Sequence, residues 1–301
     1  MAVNNRLDQQ KNKSKSRSAH KEGDEMVASK KIDNVLVISR NSLNVLWQNK
    51  KLFSGIMLIY ALLYIFFVRG LANLPSSSSL TSGSGNLFSG FSIFSLIFVA
   101  SGSSNSNSSG STLQSLLLII ISLVLIWTLR HIYKGKKVTI RDGYYKALYP
   151  FIPFILILLF IGLELLPLII GSTLYSIIVT QGIAINVVEK GASIAILVGL
   201  IILSLYFLSS SIFALYIVTL DDMTPVKALR SAKQLVKGRR AVVLRKILFM
   251  PIALIISTSI IVLPFILIYP PLAAWIIFLL TVIVIAVAHS YLYNLYRELI
   301  K

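Results

Sequence analysis

The sequence predicts an all-α, polytopic helical membrane protein: six transmembrane helices plus cytoplasmic amphipathic interfacial helices. Three observations predict it. The chain is 56% hydrophobic and 13% charged, with a mean hydropathy of +0.81, whereas in soluble domains about a quarter of residues are charged. Several apolar runs reach the roughly 18 residues that mark a candidate bilayer span. The Lys and Arg residues, finally, collect in the segments between alternate apolar runs.

Residues 1–31 are rich in Lys, Ser, Asn and Gln with few large apolar side chains, the composition of a disordered basic cytoplasmic tail that cannot bury enough surface to fold. It is too long and polar for a cleavable signal peptide. In 32–49, Ile32, Val35, Leu36, Leu43 and Leu46 fall near one helical face, with Trp47, Lys50 and Lys51 as anchors. That pattern reads as an in-plane helix feeding the first span. Spans are expected at about 52–68, 113–131, 149–170, 193–218, 247–268 and 272–293, within a membrane domain covering 32–297. Tyr269, Pro270 and Pro271 make a tight turn, so the last two spans form an antiparallel hairpin.

Charge tests this topology. Segments 1–51, 130–149, 221–246 and 294–301 carry 11, six, eight and two Lys or Arg, while the intervening segments carry only Arg69 and Lys190. The positive-inside rule therefore puts both termini in the cytoplasm of a multi-pass cell-membrane protein. Making 167–188 a seventh span would export the eight-charge loop, so that stretch reads as an extension of the third helix past Pro167 or as an outer surface segment. The outer stretch 75–112 is a Ser/Gly-rich loop, with 21 of 38 residues Ser or Gly. Within it, 87–99 is apolar but too short to cross, and Ser89, Ser92 and Ser95 draw a polar stripe along it, as in an interfacial segment.

Ionisable residues inside spans are functional candidates because burying them is costly. Glu164, three residues before Pro167, and His289 are the two. Straight, upright helices would put Glu164 about 20 Å and His289 about 5 Å from the cytoplasmic side, too far apart in depth to pair. The bland readings are a headgroup-level Glu164 beside a proline-disturbed helix end and an interfacial His289. Nothing else points to catalysis. There are no cysteines, the three histidines are scattered, and no Walker glycine loop, Gly-x-Ser-x-Gly elbow or His-Glu-x-x-His motif occurs. No metal or cofactor is expected. Ala195 and Gly199, with Ser209 to Ser211 after them, read as helix-packing residues.

The polar stretch TLDDMTPVKALRSAKQLVKGRRAVVLRK, 219–246, carries eight Lys or Arg. Thr224 and Pro225 supply an N-cap and a first-turn proline, Asp221 and Asp222 precede the positive helix end, and Gly238 can stop the helix. Ala228, Leu229, Ala232, Leu235 and Val236 fall within an arc of roughly 120°, opposite Arg230, Lys233 and Lys237. Such a helix tethered between spans lies at the inner leaflet, where each cation gains about 1 kcal/mol from anionic headgroups. Lys227, Arg230, Lys233, Lys237, Arg239 and Arg240 are thus candidate contacts for anionic lipid, and nucleic acid is the weaker reading of the charge.

The segment PVKALRSAKQLVKG, 225–238, resembles the P-x-x-A-L-x-x-S-x-x-L-x-K-G element of bacterial membrane proteins related to the glycerophosphodiester phosphodiesterase membrane domain. GKKVTIRDGYYKAL, 135–148, resembles that group's basic loop after the second span. The resemblance implies a fold over about 32–297. It implies no activity, because the phosphodiesterase chemistry of that family resides in a separate domain and many stand-alone members have no assigned activity. The expectation is a non-catalytic membrane component acting through anionic inner-leaflet lipids or a membrane-protein partner. The alternatives are a small-solute or lipid transporter, then a membrane-embedded enzyme acting on lipid headgroups.

Overall fold

The computed structural model describes residues 33–69, 108–180, 186–220 and 223–300. The tail 1–31, most of the Ser/Gly-rich stretch including 87–99, and Asp221 and Asp222 lie outside the described residues. The chain divides into two units, Met1–Asn34 and Val35–Lys301, and every described helix belongs to the second.

The described residues fold as helices and the turns between them. These are α1 (Val35–Gln48), α2 (Lys50–Leu63, continuing in π-helical turns over Tyr64–Arg69), α3 (Ser108–Tyr133), α4 (Ile140–Ala147), α5 (Phe151–Glu164), α6 (Leu166–Thr180), α7 (Val187–Ser211), α8 (Ala214–Ile217), α9 (Pro225–Val236), α10 (Arg240–Ile268) and α11 (Pro270–Ile300). Among the described residues, five stretches are long and apolar enough to cross a membrane: Lys50–Phe67, Leu113–Tyr133, Val187–Ile217, Arg240–Ile268 and Trp275–Ile300. The number rises to six if α4 and α5, which meet at a 70° bend, count as one span. Ile202 on α7 and Ile256, Ile260, Leu263 and Leu267 on α10 stand exposed, an apolar surface of the kind hydrocarbon covers.

The centre of the bundle is α3 against α11. Val124, Leu125, Ile126 and Leu129 of α3 and Ala288 and Leu295 of α11 have no exposed surface, and burying each leucine is worth about 1.5–3 kcal/mol. Helix α11 pairs with α10 as the expected hairpin: α10 ends at Ile268, Tyr269 is extended and Pro270 opens the next helix. Helix α3 starts at Ser108, so it takes in the last residues of the Ser-rich stretch.

Helix α4 is capped by its own sequence. The Thr139 hydroxyl accepts from the Asp142 N–H at 3.3 Å and donates to the Asp142 carboxylate, and Lys146 pairs with Asp142 at 3.2 Å. The Thr139 hydrogen bond, followed by Lys146, holds the Asp142 carboxyl below the usual carboxylate range. Tyr144 donates to the Ile56 carbonyl at 3.0 Å, tying α4 to α2, and burial pushes its phenol up to about 12.

In the first helix, Leu36 and Leu43 of the apolar stripe face away from the bundle, 72% and 49% accessible, Val35 and Leu46 are half-buried, and Ile38 and Ser42 are buried against α11. The side that wins is polar. Asn294 Nδ2 donates to Ser42 Oγ at 2.7 Å, Ser42 Oγ donates to the Ile38 carbonyl at 2.8 Å, and the Ser290 hydroxyl donates to the Ser42 carbonyl at 3.1 Å. The run expected as one span over 149–170 is divided at Leu165 into α5 and α6. Pro167 has no N–H to return to Leu163, so the ladder loses a rung there, although Leu165 still bonds back to Ile161 and Ile169 to Leu165.

Helix α6 packs along α7 in the opposite direction. The Leu168 N–H donates to Ser204 Oγ at 3.1 Å, and Gly171 lies so close to Leu200 that an added Cβ would stand 2.9 Å from its Cδ1 and 3.2 Å from its Cβ. The pairing of 168 with 204 and 171 with 200 brings Glu164, at the end of α5, level with Ser211 at the end of α7.

Candidate functional site

Helix α9 forms as its sequence dictates. Thr224 accepts from the Lys227 N–H at 3.4 Å, Pro225 occupies the first turn, and Gly238 takes a φ of +79°, the left-handed conformation that ends the helix cheaply. Its apolar side is used against protein: Ala228, Ala232 and Val236 have no exposed surface and pack among α5, α7, α8 and α11. The orientation of that side leaves Lys227, Arg230, Lys233 and Lys237 exposed and Arg239 and Arg240 half-buried.

Three of these six cations converge. Arg230, Lys233 and Arg240 line one groove of about 540 Å³ together with Glu164, Tyr206, Phe207, Ser210, Ser211, Val226 and Leu229. Lys227, Lys237 and Arg239 are not among its lining residues. The Arg240 guanidinium sits 4.6 Å over the Tyr206 ring, a cation–π contact that fixes it at the rim. Tyr206, Phe207 and Val226 are 47%, 41% and 60% exposed, so the rim itself is apolar.

Glu164 is the groove's one acid. Ser211 donates to its Oε1 at 2.6 Å, while Oε2 is shielded from solvent and has no hydrogen-bond partner among the described residues. Straight, upright helices would hold Glu164 far from the basic segment; the structure puts both in one groove. The break at Leu165 and the antiparallel register of α6 on α7 are the reason. Ser211, six residues short of the end of the Val187–Ile217 stretch, is Glu164's neighbour, and α9 packs beside both.

His289 lies in a different cluster and does not meet Glu164. It is 6% exposed, a core residue rather than an interfacial one. Its Nε2 is 3.0 Å from Ser122 Oγ and its Nδ1 3.3 Å from Tyr216 Oη. Ser122 already gives its proton to the Leu118 carbonyl at 2.7 Å, so Nε2 carries the hydrogen and Nδ1 accepts from Tyr216. A neutral imidazole thereby fills both positions. Around it, the Arg130 guanidinium donates to the carbonyls of Tyr216 and Thr219 and to the Thr219 hydroxyl, and Tyr133 donates to Asn294 Oδ1. Tyr216, Tyr293 and Tyr296 pack with ring centroids 6.0 Å apart. The polar groups of this cluster answer one another within the core, which makes it a structural knot.

Among the described residues no group of three His, Asp or Glu could hold a metal. Tyr206, Phe207, Ser210, Ser211 and Val226 line the groove, and sequence reasoning singled out none of them as site residues. The one signal for Ser211 was the run Ser209 to Ser211 at the end of an apolar stretch, which reads equally well as packing. No protein family, curated protein or solved structure matches this chain.

Proposed function

We propose that this chain is a non-catalytic integral membrane component that acts by holding anionic phospholipid at its basic end, with both termini and α9 on the cytoplasmic side. One observation carries the reading: Arg230, Lys233 and Arg240, brought from α9 and the start of α10, face a single groove whose rim is Tyr206, Phe207 and Val226. A phosphodiester needs several converging N–H donors, and its acyl chains need an apolar exit. The burial of α9's apolar side against the bundle supports a fixed platform more than a nucleic-acid reader, whose binding helix would be free to enter a groove. The charge asymmetry between alternate segments supports the orientation.

The test is lipid content. Purified wild type is expected to retain anionic phospholipid through detergent washing, and the triple variant Arg230→Gln, Lys233→Gln, Arg240→Gln to lose most of it while melting within a few degrees of wild type. Equal lipid content in the two proteins would sink the proposal. A second reading, movement of lipid across the bilayer, is favoured by the carboxylate of Glu164 facing the same groove beside the Pro167 break. A scrambling assay in liposomes would separate it from simple holding.

A further inference from the structure

A surface that only gathers anionic headgroups has no use for Glu164, yet Glu164 lines the groove with the three cations. Its two oxygens are not equivalent. Oε1 is taken by Ser211 at 2.6 Å, and Oε2 is buried without a donor among the described residues. An acceptor in that condition is costly to keep, and a donor delivered by a ligand would remove the cost. The groove therefore holds both signs side by side: cations on Arg230, Lys233 and Arg240, of which Lys233 lies near enough for its charge to act on Glu164, and a carboxylate with one oxygen that accepts from no donor among the described residues.

We infer that the groove is a site for one aminophospholipid, with the phosphodiester on Arg230, Lys233 and Arg240 and the primary ammonium of the headgroup at the Glu164 carboxylate. The inference rests on the phospholipid reading above and narrows it to a headgroup class. A primary ammonium offers three N–H donors. A fully methylated one offers none, and a polyol headgroup brings no positive charge to answer the carboxylate. Selectivity arises because the wrong headgroup leaves Glu164 unpaired in a shielded place. A free phosphoethanolamine carries the same chemistry, but the exposed Tyr206, Phe207 and Val226 at the rim suit acyl chains, so the lipid is the ligand the groove fits.

The experiment is native mass spectrometry of the full chain, delipidated and then exposed to lipids of identical acyl chains. Wild type should retain phosphatidylethanolamine over phosphatidylcholine by about tenfold, the worth of one charge-assisted hydrogen bond, with the mono- and dimethylated headgroups falling between. Glu164→Gln should abolish that ranking and leave phosphatidylglycerol binding in place. The methylation series needs no variant, so it decides the matter even if Glu164→Gln fails to fold. Equal retention across the series overturns the inference, as does a Glu164→Gln protein that keeps the ranking, which would mean that Lys233 or another cation serves Glu164 internally. Binding of phosphatidylglycerol without any ethanolamine preference overturns the inference while leaving the broader proposal standing; retention of no phospholipid at all overturns both. Soluble phosphoethanolamine displacing the lipid at equal concentration would assign the site to a free headgroup and overturn the lipid assignment.

Discussion

The Ser211 hydroxyl donates to the Glu164 carboxylate at 2.6 Å across the contact between α5 and α7. Forty-seven residues separate the pair in sequence, and the bond fixes how the end of one apolar helix meets the end of another. Ser211→Ala leaves both oxygens of Glu164 without a protein donor. A loss of about 1–3 kcal/mol is expected, read as a lower melting temperature in detergent. Glu164→Gln in the Ser211→Ala background should recover part of it, because the desolvated charge is then gone.

Arg130 predicts a second, larger effect. Its guanidinium serves the carbonyls of Tyr216 and Thr219, acceptors released where the helix through α8 runs out. Lysine cannot reproduce a planar fork. Arg130→Lys should therefore destabilise by on the order of 2–3 kcal/mol, and Arg130→Ala by more. A Lys variant with wild-type melting would mean that the fork is not what secures this end of the bundle.

The Ser122–His289–Tyr216 chain gives a coupling test. His289→Phe strands the Tyr216 hydroxyl in a place where the residue is 1% exposed, costing about 1–3 kcal/mol. Tyr216→Phe added to it should cost far less than it does alone, since the two removals share one hydrogen bond. Additive losses in the double-mutant cycle would count against the bond.

Close approach of α6 to α7 depends on Gly171. An added Cβ would stand 2.9 Å from Leu200 Cδ1, which a rotamer change can relieve, but also 3.2 Å from Leu200 Cβ, which moves only with the helix. Gly171→Ala should destabilise by about 1–3 kcal/mol, and Gly171→Ile should separate the helices enough to weaken disulfide crosslinking of Leu168→Cys with Ser204→Cys.

Helix α4 should respond to acid. Asp142 has a folded-state pKa below its ordinary value, so its contribution is fully present above the unfolded value and is lost as pH falls through the folded one. Hydrogen exchange across 140–147 should accelerate as pH drops below the carboxylate range, after correction for the intrinsic rate. Asp142→Asn should flatten that dependence; an unchanged profile would exclude Asp142 as its source.

How far the sequence reached depended on the range of the interaction. Thr224, Pro225 and Gly238 bound α9 by chemistry within a few residues of each end, and Tyr269 to Pro271 turned the last hairpin in the same way; all were readable. The side of α1 that packs was not, because Ser42 is held by Ser290 and Asn294, some 250 positions away, and those bonds outweigh a stripe of leucines that an apolar surrounding accommodates equally well. Glu164 could be singled out as an acid in an apolar run. Its meeting with Arg230 and Lys233 could not, since it depends on the break at Leu165 and the register of Gly171 on Leu200.

The most direct test of a lipid-holding groove is an electron cryomicroscopy map of the full chain in nanodiscs containing phosphatidylethanolamine and phosphatidylglycerol. Phosphate density among Arg230, Lys233 and Arg240, with acyl density leaving past Tyr206 and Phe207, is the predicted result. A groove closed by Lys233 or Arg230 folded onto Glu164, with no phosphate inside it, would contradict that role.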